Sequence, residues 1–549
     1  MPAKKPAQWD REVDVVVMGS GGAALVAAIT AHDQGAKVIV LEKTDQLGGT
    51  TAFSGGIPWI PLNRYMKEAG VEDTREEALT YIRRITGGKE PDPNLIEVFV
   101  DNAYKAIDYL HENTPLRFTA LVNFSEYYNN FEGSKAGRSL DPVPFDMNQI
   151  GEYGALIRNN PVFPPLTLDE GGAIGGVDFN TIAERMEKNI VTMGRSLIAS
   201  LVKGCLDRDI EIITETPGKE LVLNDDGDVI GLVAEQNGEK LYIGTSNGVV
   251  LASGGYEWNK ELIKTFLKGE ITHPLSPGGN EGDGLIMAME AGAALGNMSE
   301  AWWYPAMQDP TLEYEDRVLN QTGGGRSGPN SIIVNSKAKR FTNEGTTYND
   351  MPRAFYTYDP VNVDWPNEKD NWMVFDQQLK DSQMIITMMP GEEAPEWVPQ
   401  AESIKELAEK IGLDPAALEE TVNRWNAQCE AGEDTDFQRG TTFFEGLYVG
   451  GGSVEANLGK IEKAPFYAVP VYRGALGTNG GPRINENGQV ISLRGKPING
   501  LYAAGNAAMA VLGPVYPSAG GTIGPALTFG YLAGLAVGQV KSKEKEIAH

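Results

Sequence analysis

Gly19, Gly21 and Gly22 interrupt the run Val13-Asp-Val-Val-Val-Met-Gly-Ser-Gly-Gly-Ala-Ala24, and Glu42 closes a second apolar run, Ala36-Lys-Val-Ile-Val-Leu-Glu42. Glycines and an acid at this spacing suit the grip of a dinucleotide. Gly19 permits a tight turn, and Gly21 lets the main chain approach a pyrophosphate. The helix that follows aims its first N–H groups at phosphate oxygens. Glu42 can accept hydrogen bonds from ribose hydroxyls. Directly after it comes Leu47-Gly-Gly-Thr-Thr-Ala-Phe-Ser-Gly-Gly56, where a nicotinamide-dependent enzyme would simply continue its sheet. Gly48, Gly49, Gly55 and Gly56 let the chain run along a pyrophosphate and a flavin, with Thr50, Thr51 and Ser54 as hydrogen-bond donors. This second segment selects FAD.

The elements that must position these groups are a strand, a helix and a second strand in that order, with the small Ala24 letting the helix pack closely on the sheet. Lys240-Leu-Tyr-Ile-Gly-Thr-Ser-Asn-Gly-Val-Val-Leu-Ala-Ser-Gly-Gly-Tyr256 is expected to form a short strand, a turn and an apolar strand returning to that sheet. Gly282 and Gly284 flank Asp283 before a small-residue helix, a second helix start that can face the cofactor. Leu501-Tyr-Ala-Ala-Gly-Asn506 is another strand ending in small residues, and Gly520 to Tyr531 opens a closing helix. Between these landmarks, from about Ala301 to about Leu476, the sequence is rich in tryptophan, proline and polar residues. In it Asp414 caps a helix, Pro415 starts it, and Leu418, Val422 and Trp425 share a face.

The expected fold class is therefore α/β, a Rossmann-like FAD-binding domain with an inserted α+β domain. The expected boundaries are 1–306 for the first part of the FAD domain, 307–476 for the insert and 477–549 for the returning part. A chain of 549 residues with 41% hydrophobic and 22% charged residues is ordinary for a globular protein. Its net charge of −28 argues against nucleic acid and anionic lipid as partners. The acidic clusters at 225–228 and 430–436 are expected to be solvated turns. Cys205 and Cys429 have no metal-ligand spacing, and a disulfide framework, a zinc site and thiol redox chemistry are all poorly supported. No apolar run reaches membrane-spanning length and the start lacks the pattern of an export signal, so the expected location is cytoplasmic, with peripheral membrane contact left open.

Taken together, the spacing of Gly19 to Ala24, Glu42-Lys43, Gly48 to Gly56, Ala252-Ser-Gly-Gly255, Gly282-Asp-Gly284 and Ala504-Gly-Asn506 resembles the fumarate reductase/succinate dehydrogenase flavoprotein superfamily. Within it the chain is most similar to the 3-ketosteroid Δ1-dehydrogenases. Four further motifs carry that likeness: Phe124-Ser-Glu-Tyr-Tyr128, Ala301-Trp-Trp-Tyr-Pro305, Arg340-Phe-Thr-Asn-Glu-Gly-Thr-Thr-Tyr348 and Tyr516-Pro-Ser-Ala-Gly-Gly-Thr-Ile-Gly-Pro525. Ser518 departs from the family pattern, which has glycine there. The resemblance implies a GR2-type FAD domain and noncovalent FAD. The implied cofactor set is Gly19, Gly21, Gly22, Ala23, Glu42, Lys43, Gly49, Thr50, Thr51, Ser54, Gly55, Gly56, Ala252, Gly254, Asp283, Gly505, Asn506, Gly521, Thr522 and Ile523.

It also implies the reaction: a 3-ketosteroid loses a proton from carbon 2 and a hydride from carbon 1 to the flavin, and an acceptor such as a quinone or a dye takes the electrons. In that scheme the Tyr516 hydroxyl and the Gly520 N–H donate to the carbon 3 oxygen, Tyr348 is the base, and Tyr127 eases its deprotonation, with Tyr128 the alternative to Tyr127. Phe124 lines the substrate pocket beside these residues. One such donor contributes about 3 kcal/mol, roughly a hundredfold in rate. A tyrosine is a poor base at neutral pH, since ionising it costs about 4 kcal/mol at pH 7.

A flat apolar steroid suits a mainly apolar slot between domains. A rival within the fold is a fumarate or enoate reductase, which needs cations for its carboxylates. Tyr516, Ser518 and Thr522 offer none, but Arg326, Arg353 and Arg473 remain candidates. A 4-dehydrogenase of 5α-3-ketosteroids or an electron-relay subunit would also suit this fold. His32, His111, His273 and His549 are scattered, and His273 is expected in a loop rather than attached to flavin. Trp302 and Trp303 divide evenly between core and pocket wall. Met384-Ile-Ile-Thr-Met-Met-Pro390 is expected to be mostly buried.

Overall fold

The structure is a computed structural model that describes residues 2–171, 178–447 and 455–539. His549 lies outside them. The chain divides into two compact units, Met1–Leu267 with Ser276–Ala301 and Gly477–His549, and Lys268–Leu275 with Trp302–Leu476. Residues 302–306 and the short stretch Lys268–Leu275 thus sit with the second unit.

In the first unit, the β-branched run Val15-Val-Val17 forms the middle of the strand Arg11–Met18, with all three side chains fully buried. This strand pairs in parallel with Val38–Leu41 on one side and Glu239–Leu251 on the other. The residues expected to form a short strand, a turn and a second strand instead form one long strand, Glu239–Leu251. Its register shifts between Thr245 and Gly248, so the Gly-Thr-Ser-Asn-Gly stretch is absorbed as an irregularity rather than a reversal. Its first half pairs with Val229–Gln236 antiparallel, and its last three residues pair with Leu501–Ala503 in parallel.

The helix Gly22–Asp33 leaves the first strand through Gly19, whose φ of 97° places it in the left-handed region. A side chain there would also put Cβ 2.5 Å from the Ala252 carbonyl oxygen. Residues Gly22 to Ala31 of the helix are all buried. One face meets the closing helix Ile523–Gly538, where Gly530, Gly534 and Gly538 lie over Ala23, Ala27 and Ala31. A Cβ on those glycines would come within 2.5 to 2.9 Å of the alanine carbonyl oxygens. The four-residue repeat of small residues therefore lets the two backbones approach more closely than ordinary side chains allow.

The second unit has an antiparallel sheet in the order Ser331–Val334, Trp372–Asp376, Phe466–Pro470, Gln400–Ala401. Helices Ile404–Ile411 and Pro415–Ala431 share one apolar cluster with it. The second helix starts as expected: the Asp414 carboxylate accepts from the Ala417 N–H at 2.7 Å, and Leu418, Val422 and Trp425 are buried. A further sheet orders His273–Pro274, Tyr472–Thr478, Ala301–Tyr314 and Arg317–Thr322.

The two acidic clusters part ways in the fold. The 225–228 cluster is a surface turn, but the 430–436 cluster is not wholly solvated as expected: Asp434 is buried and bonded twice by Arg340, and Asp436 pairs with Arg424. Short-range composition cannot reveal cations that the fold brings from distant segments. No helix among the described residues is long and apolar enough to cross a membrane.

Candidate active site

The glycine turns of the first unit converge at the carboxyl ends of its parallel strands, where an open α/β sheet binds ligands. Glu42 is buried. Its Oε2 accepts from Ser20 Oγ at 2.5 Å and its Oε1 from the Thr44 N–H at 3.0 Å, which fixes the carboxylate at the strand end. Lys43 donates to Asp283 Oδ2 at 3.0 Å, to the Gly279 carbonyl and to Glu281. Burial works against the charge on Lys43, yet Glu281 and Asp283 outweigh it and raise its pKa. These bonds hold the start of the helix Asp283–Glu290 against the second strand, a link between two predicted cofactor residues that spacing alone does not show.

Thr50 and Thr51 lie in the short helix Gly49–Phe53. Thr50 Oγ1 accepts from Asn280 Nδ2 at 3.0 Å, and Thr51 Oγ1 accepts from the Gly22 N–H at 3.3 Å. Asn280 also donates to Glu257 Oε1 at 2.7 Å, and burial pushes the Glu257 carboxyl above its ordinary pKa. Ser54 Oγ accepts from the Gly56 N–H at 3.0 Å, and Gly56 passes so close to Gly194 that a Cβ would lie 2.5 Å from its nitrogen. Gly254 faces Asn280, Gly505 lies against Ala23, and Asn506 lies against Gly477. Gly55, Gly521, Thr522 and Ile523 belong to this same unit, the last three at the entry to the closing helix.

Two of the predicted catalytic tyrosines meet in this unit. The rings of Tyr127 and Tyr516 stack with centroids 6.0 Å apart and planes 17° apart. Phe124 packs edge-on against Tyr127 at 6.3 Å. Tyr128 stacks instead on Phe131. Of the two candidates, Tyr127 is therefore the one beside Tyr516. The Pro517 carbonyl accepts from the Tyr127 N–H at 3.2 Å and from the Tyr81 hydroxyl at 2.6 Å.

Gly520 has φ 95°, and its absent Cβ would lie 2.4 Å from the Ile57 carbonyl oxygen and 2.5 Å from the Trp59 nitrogen. Its own N–H donates to no acceptor among the described residues. The unusual Ser518 is buried, has no left-handed backbone, and accepts a hydrogen bond from Ser139 Oγ at 3.2 Å. The same Ser139 hydroxyl lies 2.7 Å from the Ala519 carbonyl, so Ser518 sits where Ser139 meets this loop.

Tyr348 belongs to the second unit, where its ring stacks on that of Tyr304 at 4.5 Å. The preceding loop is tied down by buried charge. Glu344 is fully buried between Arg340 and Arg439, and although burial favours its neutral form, the two guanidinium groups hold its pKa below the usual range. Arg326 donates to the carbonyls of Glu344 and Thr346. Arg473 pairs with Glu368 at 2.8 Å and Glu270 at 3.5 Å, and Arg353 lies 3.8 Å from Asp350. These arginines are engaged within their own unit. Trp302 and Trp303 are buried, and the Trp303 ring lies 4.9 Å from Tyr356. Ile385, Ile386 and Met388 are buried while Met384 and Met389 are exposed. His273 forms a short strand bridge and stacks on Tyr472, and burial lowers its pKa to about 4.

Known proteins share this fold. Residues 14–523 match the family model described as FAD binding domain. The chain is 35% identical to 3-oxosteroid 1-dehydrogenase of Mycolicibacterium smegmatis, over 96% of this chain and 97% of the relative. The chain belongs to the FAD-dependent dehydrogenase family. It is equally, 35%, identical to 4-oxocyclohexanecarboxylate 2-dehydrogenase of Sinomonas cyclohexanicum, over 95% of this chain and 92% of that one. Its fold matches the crystal structure of 3-ketosteroid Δ1-dehydrogenase from Sterolibacterium denitrificans in complex with 1,4-androstadiene-3,17-dione. The TM-score is 0.88 at 29% identity, covering 96% of this chain and 99% of the other. Like its relatives, this family member is an FAD-dependent oxidoreductase acting on CH–CH groups.

The residues present fit FAD. Ser253 Oγ is sealed from solvent without a hydrogen-bond partner among the described residues, as expected of a group that awaits a polar ligand. A Cβ on Gly49 would meet nothing within 4 Å, so that stretch of main chain faces open space. Residues near the tyrosines that sequence reasoning misses are Trp59, Tyr81, Glu126 and Arg138. Only Glu126 leaves a signal, an acid among the aromatics of the Phe124 to Tyr128 motif.

Proposed function

We propose that this dehydrogenase introduces a double bond between carbons 1 and 2 of the A ring of a 3-ketosteroid. The reading is carried by the Tyr127–Tyr516 stack beside a Gly520 N–H that has no acceptor of its own among the described residues. Tyr516 and Gly520 donate to the carbon 3 oxygen. Polarising that carbonyl toward an enolate acidifies carbon 2, and each donor contributes about 3 kcal/mol in the transition state. Tyr348 takes the carbon 2 proton. Tyr127, packed between Phe124 and Tyr516, eases ionisation of the base by sharing the proton, which offsets part of the roughly 4 kcal/mol that a lone phenol requires at pH 7. When bound, FAD supplies the two-electron acceptor for the hydride lost from carbon 1.

In this reading Gly19, Gly21, Gly22, Glu42, Thr51, Ser253 and Asn506 hold the cofactor noncovalently, and a quinone or dye receives the electrons afterwards. The first unit is the FAD-binding domain, and the protein works in the cytoplasm.

A cyclic keto acid is the second reading, favoured by the relative named for 4-oxocyclohexanecarboxylate at the same 35% identity. Its ring ketone asks for the same two donors, but its carboxylate needs a cation. Arg326 and Arg473 are already engaged by carbonyls and carboxylates, which supports the steroid. The test is anaerobic. The yellow protein is mixed separately with androst-4-ene-3,17-dione, cholest-4-en-3-one and 4-oxocyclohexanecarboxylate, and flavin bleaching and product mass are followed. Bleaching with loss of two hydrogens at carbons 1 and 2 of a steroid is expected. Bleaching by the keto acid alone, or reoxidation of reduced enzyme by fumarate, would overturn the assignment.

A further inference from the structure

Glu126 has no part in the chemistry just described, yet it is buried next to Tyr127 at the centre of a charged network. Its Oε1 accepts from the Trp59 indole Nε1–H at 2.9 Å and from Arg138 at 3.2 Å, and its Oε2 accepts from the Lys135 N–H at 2.8 Å. Arg138, itself fully buried, forms a two-pronged bond to Asp73 at 2.9 and 2.7 Å. It also lies over the rings of Trp59 and Tyr81, 5.8 and 5.9 Å from their centroids.

Trp59 is bonded both to the segment that carries Tyr127 and to the turn that carries Gly520. Its side chain holds Glu126, one residue from Tyr127, while its backbone N–H donates to the Gly520 carbonyl at 3.1 Å. A buried ion pair is a weak source of net stability, because desolvation offsets the Coulombic gain. What this one supplies is a fixed distance: the segment carrying Tyr127 and the turn carrying the Gly520 N–H are attached to the same tryptophan.

We propose that Glu126 and Trp59 are positioning residues that lock the Tyr127 segment to the Gly520 turn. The role rests on the steroid reading for its kinetic consequence but not for the linkage itself. A shift of about 1 Å in a reacting geometry lowers turnover on the order of a hundredfold. Trp59→Phe keeps an aromatic ring and removes the indole donor. Glu126→Gln keeps the shape and presents an amide N–H where donors already point.

The experiment uses the FAD-loaded enzyme. In Trp59→Phe, kcat with androst-4-ene-3,17-dione is expected to fall between about tenfold and a hundredfold, with KM within about threefold and flavin content unchanged. Glu126→Gln is expected to move kcat the same way by less. Hydrogen exchange, read on peptides covering 121–131 and 513–522, is expected to quicken in both peptides together in either variant.

Exchange that changes in one peptide only, or in neither, overturns the linkage whatever the substrate is. Wild-type kcat in both variants of an enzyme that turns over the steroid overturns the positioning role. An inactive wild type removes the steroid reading, while the exchange result still decides the linkage.

Discussion

Replacing Gly520 by alanine leaves its N–H in place and so tests where that donor sits rather than whether it exists. Two costs can be worked from the structure. The φ of 95° is left-handed, which costs an L-residue about 1–2 kcal/mol. The added Cβ would also lie 2.4 Å from the Ile57 oxygen, 2.5 Å from the Trp59 nitrogen and 2.6 Å from the Pro58 carbonyl carbon. All three are backbone atoms that cannot rotate aside, so ordinary contact requires the turn to move by about 1 Å. That displacement lowers kcat/KM by about a hundredfold.

Gly87→Ala separates the two effects. Gly87 also has positive φ, 56°, at the end of the helix Arg75–Thr86, but a Cβ there meets nothing within 4 Å. It should lose about 1 kcal/mol of stability and no activity. The assay is kcat/KM with the steroid, alongside flavin absorbance and Tm for both variants. Gly520→Ala protein that keeps its flavin and works within about threefold of wild type would refute the argument that this turn sets the donor.

Tyr516→Phe and Tyr348→Phe are expected to retain FAD and each lose at least about a hundredfold in kcat, measured by steady-state turnover; full activity in either would remove that residue's role. The Glu126 carboxyl is pushed up to about 7 by burial, against the lowering pull of Arg138. The folded protein then holds this proton more tightly than the unfolded chain, so its contribution is full below about pH 4.5 and is lost as pH rises through about 7. Glu126→Gln should therefore gain Tm relative to wild type across that window, and a difference that does not vary with pH would contradict this. Burial raises the thiols of Cys205 and Cys429 to about 12, so neither should react with iodoacetamide at about pH 8 in the native state, checked by intact mass.

The cofactor half of the site is legible in the sequence because backbone geometry imposes it. The Gly19 turn, the acid at position 42 and the capped helix after Asp414 follow from local rules on glycine, strand ends and N-caps, and local rules survive in the sequence. The long strand Glu239–Leu251 departs from expectation because glycine and polar residues signal a turn and an irregular strand alike. Asp434 departs from it because its partner Arg340 is distant in sequence. The network around Glu126 draws on segments carrying Trp59, Asp73 and Arg138, none of which has a periodic or spaced signature. Spacing records what one segment does to itself, whereas buried charge records how segments meet.

The glycine stripe of the closing helix also bears on how the protein comes into being. Gly530, Gly534 and Gly538 fit Ala23, Ala27 and Ala31, residues from opposite ends of the sequence. During synthesis the helix Gly22–Asp33 leaves the ribosome with the face of Ala23, Ala27 and Ala31 still uncovered by the closing helix, and the strand Pro497–Ala503 that completes the sheet is also still to come. Such long-range closure is slow and leaves apolar surface exposed in the meantime. The nucleotide grip is thus among the last parts of the first unit to form, which makes a yellow protein a record that translation ran through the closing helix.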